Sequence, residues 1–181
     1  FKHACLSELL TMSVVSDDFS LLKLKPELLA NLKSLNYRVM TPIQAQSLPA
    51  ILAGKDVIAQ AKTGSGKTAA FGLGVLQQLN ERRFCIQTLI LCPTRELAEQ
   101  VATEVRKLAR AVHNVKVLSI CGGMPFGPQI GSLEHGAHII VGTPGRVEEH
   151  LRKGTLKLDR LQNLVLDEAD RMLDMGFQET L

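Results

Sequence analysis

Short apolar runs along the chain alternate with longer stretches in which apolar residues recur every three or four positions. The runs Asp56–Gln60, Thr88–Cys92, Lys116–Cys121, His138–Gly142 and Asn163–Leu166 read as strands. They are continuously hydrophobic, as strands are when helices cover both faces of a parallel sheet. Between them, Gly66–Glu81, Arg95–Val112, Phe126–His135 and Pro144–Lys153 have the length and period of helices. Upstream, Pro26–Leu35 and Pro42–Leu52 read as two more. Thr41-Pro42 is a good helix start, with a capping hydroxyl and a proline at the first helical position. Alternating β and α units predict a doubly wound α/β domain with a mostly parallel central sheet. Ligands of such a fold bind beyond the carboxyl ends of the strands.

The first candidate chemistry lies where that rule places it. Ala61-Lys62-Thr63-Gly64-Ser65-Gly66-Lys67-Thr68 follows the first strand and opens a helix with apolar residues at Phe71, Val75, Leu76 and Leu79. Strand, glycine-rich turn, Gly-Lys-Thr and helix together make a P-loop. Gly64 and Gly66 let the backbone aim its N–H groups at phosphate oxygens, and the helix adds the positive end of its dipole. Lys67 supplies a mobile charge for the β- and γ-phosphates of ATP, and Thr68 a hydroxyl for Mg²⁺. The general pattern starts with glycine, whereas Ala61 stands here. The bland alternative is a turn with a surface lysine.

The second is Asp167-Glu168-Ala169-Asp170, reached directly from the apolar strand Asn163–Leu166. Asp167 at a strand end suits Mg²⁺, and Glu168 is placed to orient or deprotonate an attacking water. A charged helix start favoured by the dipole is the competing account, and it weighs most for Asp170.

Composition narrows the setting. The chain has 181 residues, 45% hydrophobic and 22% charged, enough for one domain with a sizeable core. A net charge of +3 is compatible with a polyanionic partner without requiring one. With six Phe, one Tyr and no Trp, a base-stacking platform is not expected. Cys5, Cys85, Cys92 and Cys121 form no CxxC pair, and the histidines show no metal-ligand spacing. The thiols read as reduced, hence a cytoplasmic setting. No apolar run has the length to span a bilayer. Met12 reads as a natural start, with residues 1–11 not native and 1–18 an extension before the domain at 19–181. The chain also looks truncated at its far end.

At this point the chain resembles the DEAD-box RNA helicases, which carry residues 167–170 in these letters and whose P-loop commonly begins with Ala. Phe19, seventeen residues before Asn36, with Thr41-Pro42-Ile43-Gln44, resembles their adenine-reading Q motif. Pro93-Thr94-Arg95-Glu96-Leu97 looks like motif Ia, Gly122-Gly123 like the glycine doublet, and Thr143-Pro144-Gly145-Arg146 like motif Ib. The likeness runs from about Phe19 to Phe177. Phe71–Gly74 and Cys121–Gly127 look more specifically like the bacterial DbpA branch.

The resemblance implies a RecA-like P-loop domain that hydrolyses ATP with Mg²⁺, coupled to local RNA unwinding. It implies that Gln44 hydrogen-bonds the adenine edge while Phe19 packs on the ring, although Thr41 and Gln44 also spell a capping box. It implies that Pro93, Thr94, Arg95, Gly123, Thr143 and Arg146 face the sugar–phosphate backbone of single-stranded RNA without reading sequence. Each of these could alternatively be only a helix start or a turn. Asp170 would couple this domain to a second one. In that family the arginine fingers, the Ser-Ala-Thr motif and half of the RNA surface lie beyond the acidic box. The isolated chain is therefore expected to bind nucleotide but not to unwind. The DbpA likeness further implies a monomer directed to large-subunit ribosomal RNA in ribosome assembly by a region outside these residues. Two other functions remain open: a P-loop ATPase acting on another polymer such as DNA, and a nucleotide-switched RNA-binding module.

Overall fold

The computed structural model describes residues 18–181. Cys5, the start at Met12 and all of the 1–18 extension except Asp18 lie outside the described residues. After a 3₁₀ turn at Phe19–Leu21, the elements run α1 (Pro26–Ser34), α2 (Pro42–Leu52), α3 (Lys67–Gln78), β1 (Thr88–Leu91) and α4 (Arg95–Ala109). Then follow β2 (Val117–Ile120), α5 (Phe126–Glu134), β3 (Ile139–Gly142), α6 (Pro144–Arg152), β4 (Asn163–Leu166) and α7 (Ala169–Asp174). The four strands form one parallel sheet in the order β2-β3-β1-β4. The chain thus leaves β1, passes over to β2, returns through β3, and ends on the other side of β1.

Period-two alternation divides the core between the faces of this sheet. Ile90, Cys92, Ile139 and Val141 face the helical layer of α1 to α4. Leu89, Leu91, Ile120 and Ile140 face the layer that includes Val147 of α6 and Met172 of α7. α4 shows why its sequence chose a helix. Ala98, Val101, Ala102, Val105, Leu108 and Ala109 make one buried stripe at spacings of three and four. Thr94 caps its start by accepting from Leu97 N at 3.3 Å.

One predicted strand does not form. Asp56–Gln60 takes no sheet pairing, and Ile58 stands fully exposed. Strands are stabilised by ladder pairing and by burial, and this run obtains neither. β4 is hydrogen-bonded only to β1, and its free edge leaves Leu164 and Leu166 exposed. The P-loop is therefore entered from an unpaired segment rather than from a strand.

Candidate nucleotide and nucleic-acid site

The parallel sheet points the carboxyl ends of all four strands the same way, and the candidate residues collect there. β1 leads into Pro93 and Thr94, β2 into Cys121 and the glycine doublet, β3 into Thr143, and β4 into Asp167. The P-loop opens α3 at the same end of the domain.

Two left-handed glycines shape the P-loop. Gly64 has φ +79° and Gly66 φ +96°. A Cβ at Gly64 would meet open space, while one at Gly66 would come within 2.5 Å of Gln44 Nε2 and 3.0 Å of Thr41 Oγ1. Lys62, Thr63 and Gly64 are exposed, and the Ser65 hydroxyl is buried without a hydrogen-bond partner. An exposed backbone cradle beside an unpartnered hydroxyl fits a phosphate chain. Lys67 folds back so that its ammonium donates to the Ala61 carbonyl.

Gln44 is buried and joins α2 to this loop. Its Oε1 accepts from Thr41 N at 2.9 Å, one arm of the capping box, and its Nε2 donates to Gly66 O at 3.1 Å. Each end of the amide thus retains one further hydrogen-bonding position. Phe19 lies only 3% exposed in the core, edge-on to Tyr37 with ring centroids 6.3 Å apart. Tyr37 donates to Glu104 Oε1 at 2.7 Å, and burial with that carboxylate pushes its phenol up to about 12.

The acidic box turns sharply. Asp167 N donates to Leu91 O at 2.9 Å, extending the ladder by one step. Glu168 then adopts φ 53° and ψ 51°, a left-handed conformation that costs a non-glycine residue about 1–3 kcal/mol. The strained residue stands between a buried aspartate and the start of α7. Burial raises the Asp167 pKa, Glu168 raises it further, and Lys67 pulls it partly back. A buried carboxylate so incompletely compensated gains from a cation, which fits Mg²⁺. The same burial, reinforced by Asp167, raises the Cys92 thiol, and burial brings Cys121 to about 11, so neither is a thiolate at neutral pH. Glu168 Oε2 accepts from Arg171 Nη1 at 3.2 Å, and exposed Asp170 accepts from Arg171 N at 2.9 Å. No cluster of three or more His, Cys, Asp or Glu suited to a metal occurs among the described residues.

A second group of residues sits beyond β2 and β3. Gly123 is exposed at φ +74°. Gly122 N donates to Thr143 Oγ1 at 3.2 Å, which ties the glycine doublet to the start of α6. Arg146 Nη1 donates to Met124 O at 2.9 Å and to Gln129 Oε1 at 2.9 Å, and its Nε pairs with Glu149 at 3.2 Å. Arg95 is exposed, whereas Pro93 is buried and Thr94 is occupied as a cap. Arg106 is exposed on α4 and donates to Val117 O and Ser119 Oγ at 3.2 Å each, which ties α4 to β2. Sequence reading passed over Gln129 and His150, both buried. The four-residue step from Arg146 to His150 on α6 was the one available signal.

Residues 41–181 match the DEAD/DEAH box helicase family model. The chain is 64% identical over 158 residues to the ATP-dependent RNA helicase DbpA of Escherichia coli, covering 87% of this chain and 35% of that protein. It is 46% identical over 163 residues to the DEAD-box ATP-dependent RNA helicase CshA of Geobacillus kaustophilus, covering 90% and 35%. The crystal structure of a DEAD box protein from the hyperthermophile Methanococcus jannaschii superposes with a TM-score of 0.85 at 41% identity, over 90% of this chain and 44% of that one. The chain thus spans about a third of the length of these curated relatives.

Proposed function

The chain belongs to the DEAD/DEAH box helicase family, and from that premise we propose that it forms the nucleotide-binding half of an ATP-dependent RNA helicase. The observation that carries this reading is the meeting of three elements at the carboxyl end of the sheet. They are a left-handed glycine cradle, a lysine whose charge is felt by a buried aspartate, and a glutamate held in a strained turn next to that aspartate.

The reaction is ATP plus water to ADP plus phosphate, and the protein's part is positioning and charge. The N–H groups from Gly64 to Thr68 hold the phosphates. Lys67 leaves the Ala61 carbonyl for the β- and γ-phosphate oxygens. Glu168, aimed by its left-handed backbone, takes the proton of the attacking water. Thr68 and Asp167 would hold Mg²⁺, which neutralises phosphate charge when bound. Gln44 reads the adenine edge with its remaining donor and acceptor while its other two bonds hold α2 and Gly66 in place. Packing of Phe19 on the base needs its ring uncovered from the core. Asp170, exposed on the surface, suits coupling to a second domain.

Thr94, Arg95, Gly123, Thr143 and Arg146 form the RNA face, with Pro93 setting the turn beneath it. Hydroxyls, an exposed glycine backbone and guanidinium groups suit a sugar–phosphate chain and read no bases. The isolated chain binds nucleotide without unwinding. A monomer directed to large-subunit ribosomal RNA by a region outside these residues rests on the likeness to the DbpA branch, and a cytoplasmic setting on the unpaired cysteine spacing.

The test is ATP turnover by the full-length protein with single-stranded RNA and with DNA of the same sequence. RNA should stimulate and DNA should not, and Glu168→Gln should abolish turnover while retaining ATP binding. Equal stimulation by DNA would point to the other polymer, and undiminished turnover in Glu168→Gln would remove Glu168 as the base. Gln44→Ala should lose the preference for ATP over GTP; unchanged selectivity would leave Gln44 with its capping and loop-tying bonds alone.

A further inference from the structure

One buried amide connects the two parts of the proposed RNA face. Gln129 lies on α5, and its Nε2 donates to Cys121 O at 2.9 Å, the carbonyl from which the glycine doublet departs. That bond orients the amide, so Oε1 faces α6. There it accepts from two residues, Arg146 Nη1 at 2.9 Å and His150 Nε2 at 2.9 Å.

The tautomer of His150 follows. An amide oxygen only accepts, so Nε2 carries the proton. In the neutral ring Nδ1 then accepts from the Thr155 hydroxyl, 2.8 Å away. Burial and the nearby Arg146 charge lower the His150 pKa and keep the ring neutral. The ring itself is fixed by stacking on Phe126, with centroids 4.1 Å apart and planes 15° apart. His150 therefore locks the oxygen that Arg146 uses.

The arginine's donors complete the picture. Met124 O and Gln129 Oε1 occupy both N–H groups of Nη1, and Glu149 takes Nε. Of the guanidinium's donors only those on Nη2 have no partner among the described residues. Held at Nη1 and Nε, the guanidinium keeps Nη2 in a fixed position, where its N–H groups can donate to a phosphate oxygen.

We infer that Gln129 and His150 are positioning residues for Arg146, binding the glycine doublet and the start of α6 into one preorganised phosphate-binding unit. The inference deepens the RNA-face reading and rests on it. A fixed side chain loses less rotamer freedom on binding, so the clamp should act on RNA affinity rather than on turnover.

The experiment uses the full-length protein and a single-stranded oligouridylate, with Arg146→Ala, Gln129→Leu and the double variant. RNA half-saturation of ATPase stimulation, turnover at saturating RNA, and ADP affinity are all measured. Gln129→Leu should raise half-saturating RNA about five- to tenfold, with turnover and ADP affinity near wild type, and should add nothing in the Arg146→Ala background. His150→Phe should shift half-saturation in the same direction by a smaller factor. If Gln129→Leu weakens RNA equally in both backgrounds, or is silent while Arg146→Ala is impaired, the positioning role alone is overturned. Wild-type RNA dependence in Arg146→Ala would overturn the underlying RNA-face reading and the inference with it. Gln129→Met, which keeps the side-chain length and removes the acceptor, replaces Gln129→Leu if the latter loses ADP binding.

Discussion

Replacing Gly66 by alanine should damage nucleotide binding for two separable reasons. The first is conformational. At φ +96° an L-residue is strained, which costs about 1–2 kcal/mol. The second is steric and local. The new Cβ would lie 2.5 Å from Gln44 Nε2, so the amide must withdraw and lose its 3.1 Å bond to Gly66 O. Moving the end of a flexible side chain costs little in itself, but the lost bond is worth about 1 kcal/mol. The sum is roughly 2–3 kcal/mol. Paid on nucleotide binding, that is a loss of about 30- to 150-fold in affinity; paid on folding, it lowers the Tm by about 4–12 °C. Fluorescent ADP titration and thermal unfolding of the ligand-free chain measure both together. Gly64→Ala is the control, because its Cβ meets nothing and only the backbone strain at φ +79° remains. Gly66→Ala should therefore lose more ligand-free stability than Gly64→Ala. Equal losses would show that the contact with Gln44 contributes nothing, and unchanged ADP affinity and Tm in Gly66→Ala would refute the argument altogether.

Three further outcomes are expected. Asp167 has a raised folded-state pKa, so its proton is held more tightly in the folded chain and its charge opposes folding at neutral pH. Asp167→Asn should raise the ligand-free Tm at pH 7, with the gain shrinking as pH falls through the raised pKa, and should lose Mg²⁺-dependent nucleotide binding; a lower Tm across the whole range would show that the carboxylate is compensated. Gly142→Ala would place a Cβ 2.5 Å from the backbone oxygen of Ile120 and 2.7 Å from Val147 Cγ2, contacts a β-sheet cannot easily relax. Overpacking of this kind costs about 1–3 kcal/mol, read as a lower urea midpoint with the slope unchanged. His138 is buried, accepts from Lys116 N at 3.1 Å through Nδ1, and has its pKa lowered chiefly by burial. Its stabilising contribution is present above the unfolded value of 6.5 and is lost as pH falls from there toward the folded pKa, so His138→Gln should flatten the acid limb of a Tm-against-pH curve.

Much of this molecule is written locally. The helix stripes, the β1 to β4 runs, the Thr94 cap and the left-handed demand on the P-loop glycines follow from spacing and residue chemistry within a few positions. So does the order of the motifs, which by itself points to the family. Asp56–Gln60 could not be judged that way. It is as apolar as a strand should be, yet a strand exists only with a partner, and β4 leaves that edge unpaired. The side-chain roles were equally beyond reach. Gln44 looks the same in sequence whether it caps α2 or holds Gly66, and the structure has it doing both across 22 residues. Arg106 is a surface charge that also donates to Val117 O, a bond to β2 that its own helix does not reveal. Gln129 and His150 carry no motif, because what matters is which polar groups the fold buries against one another. Periodicity reports which side of an element is buried; only the packed chain decides which donor meets which acceptor there.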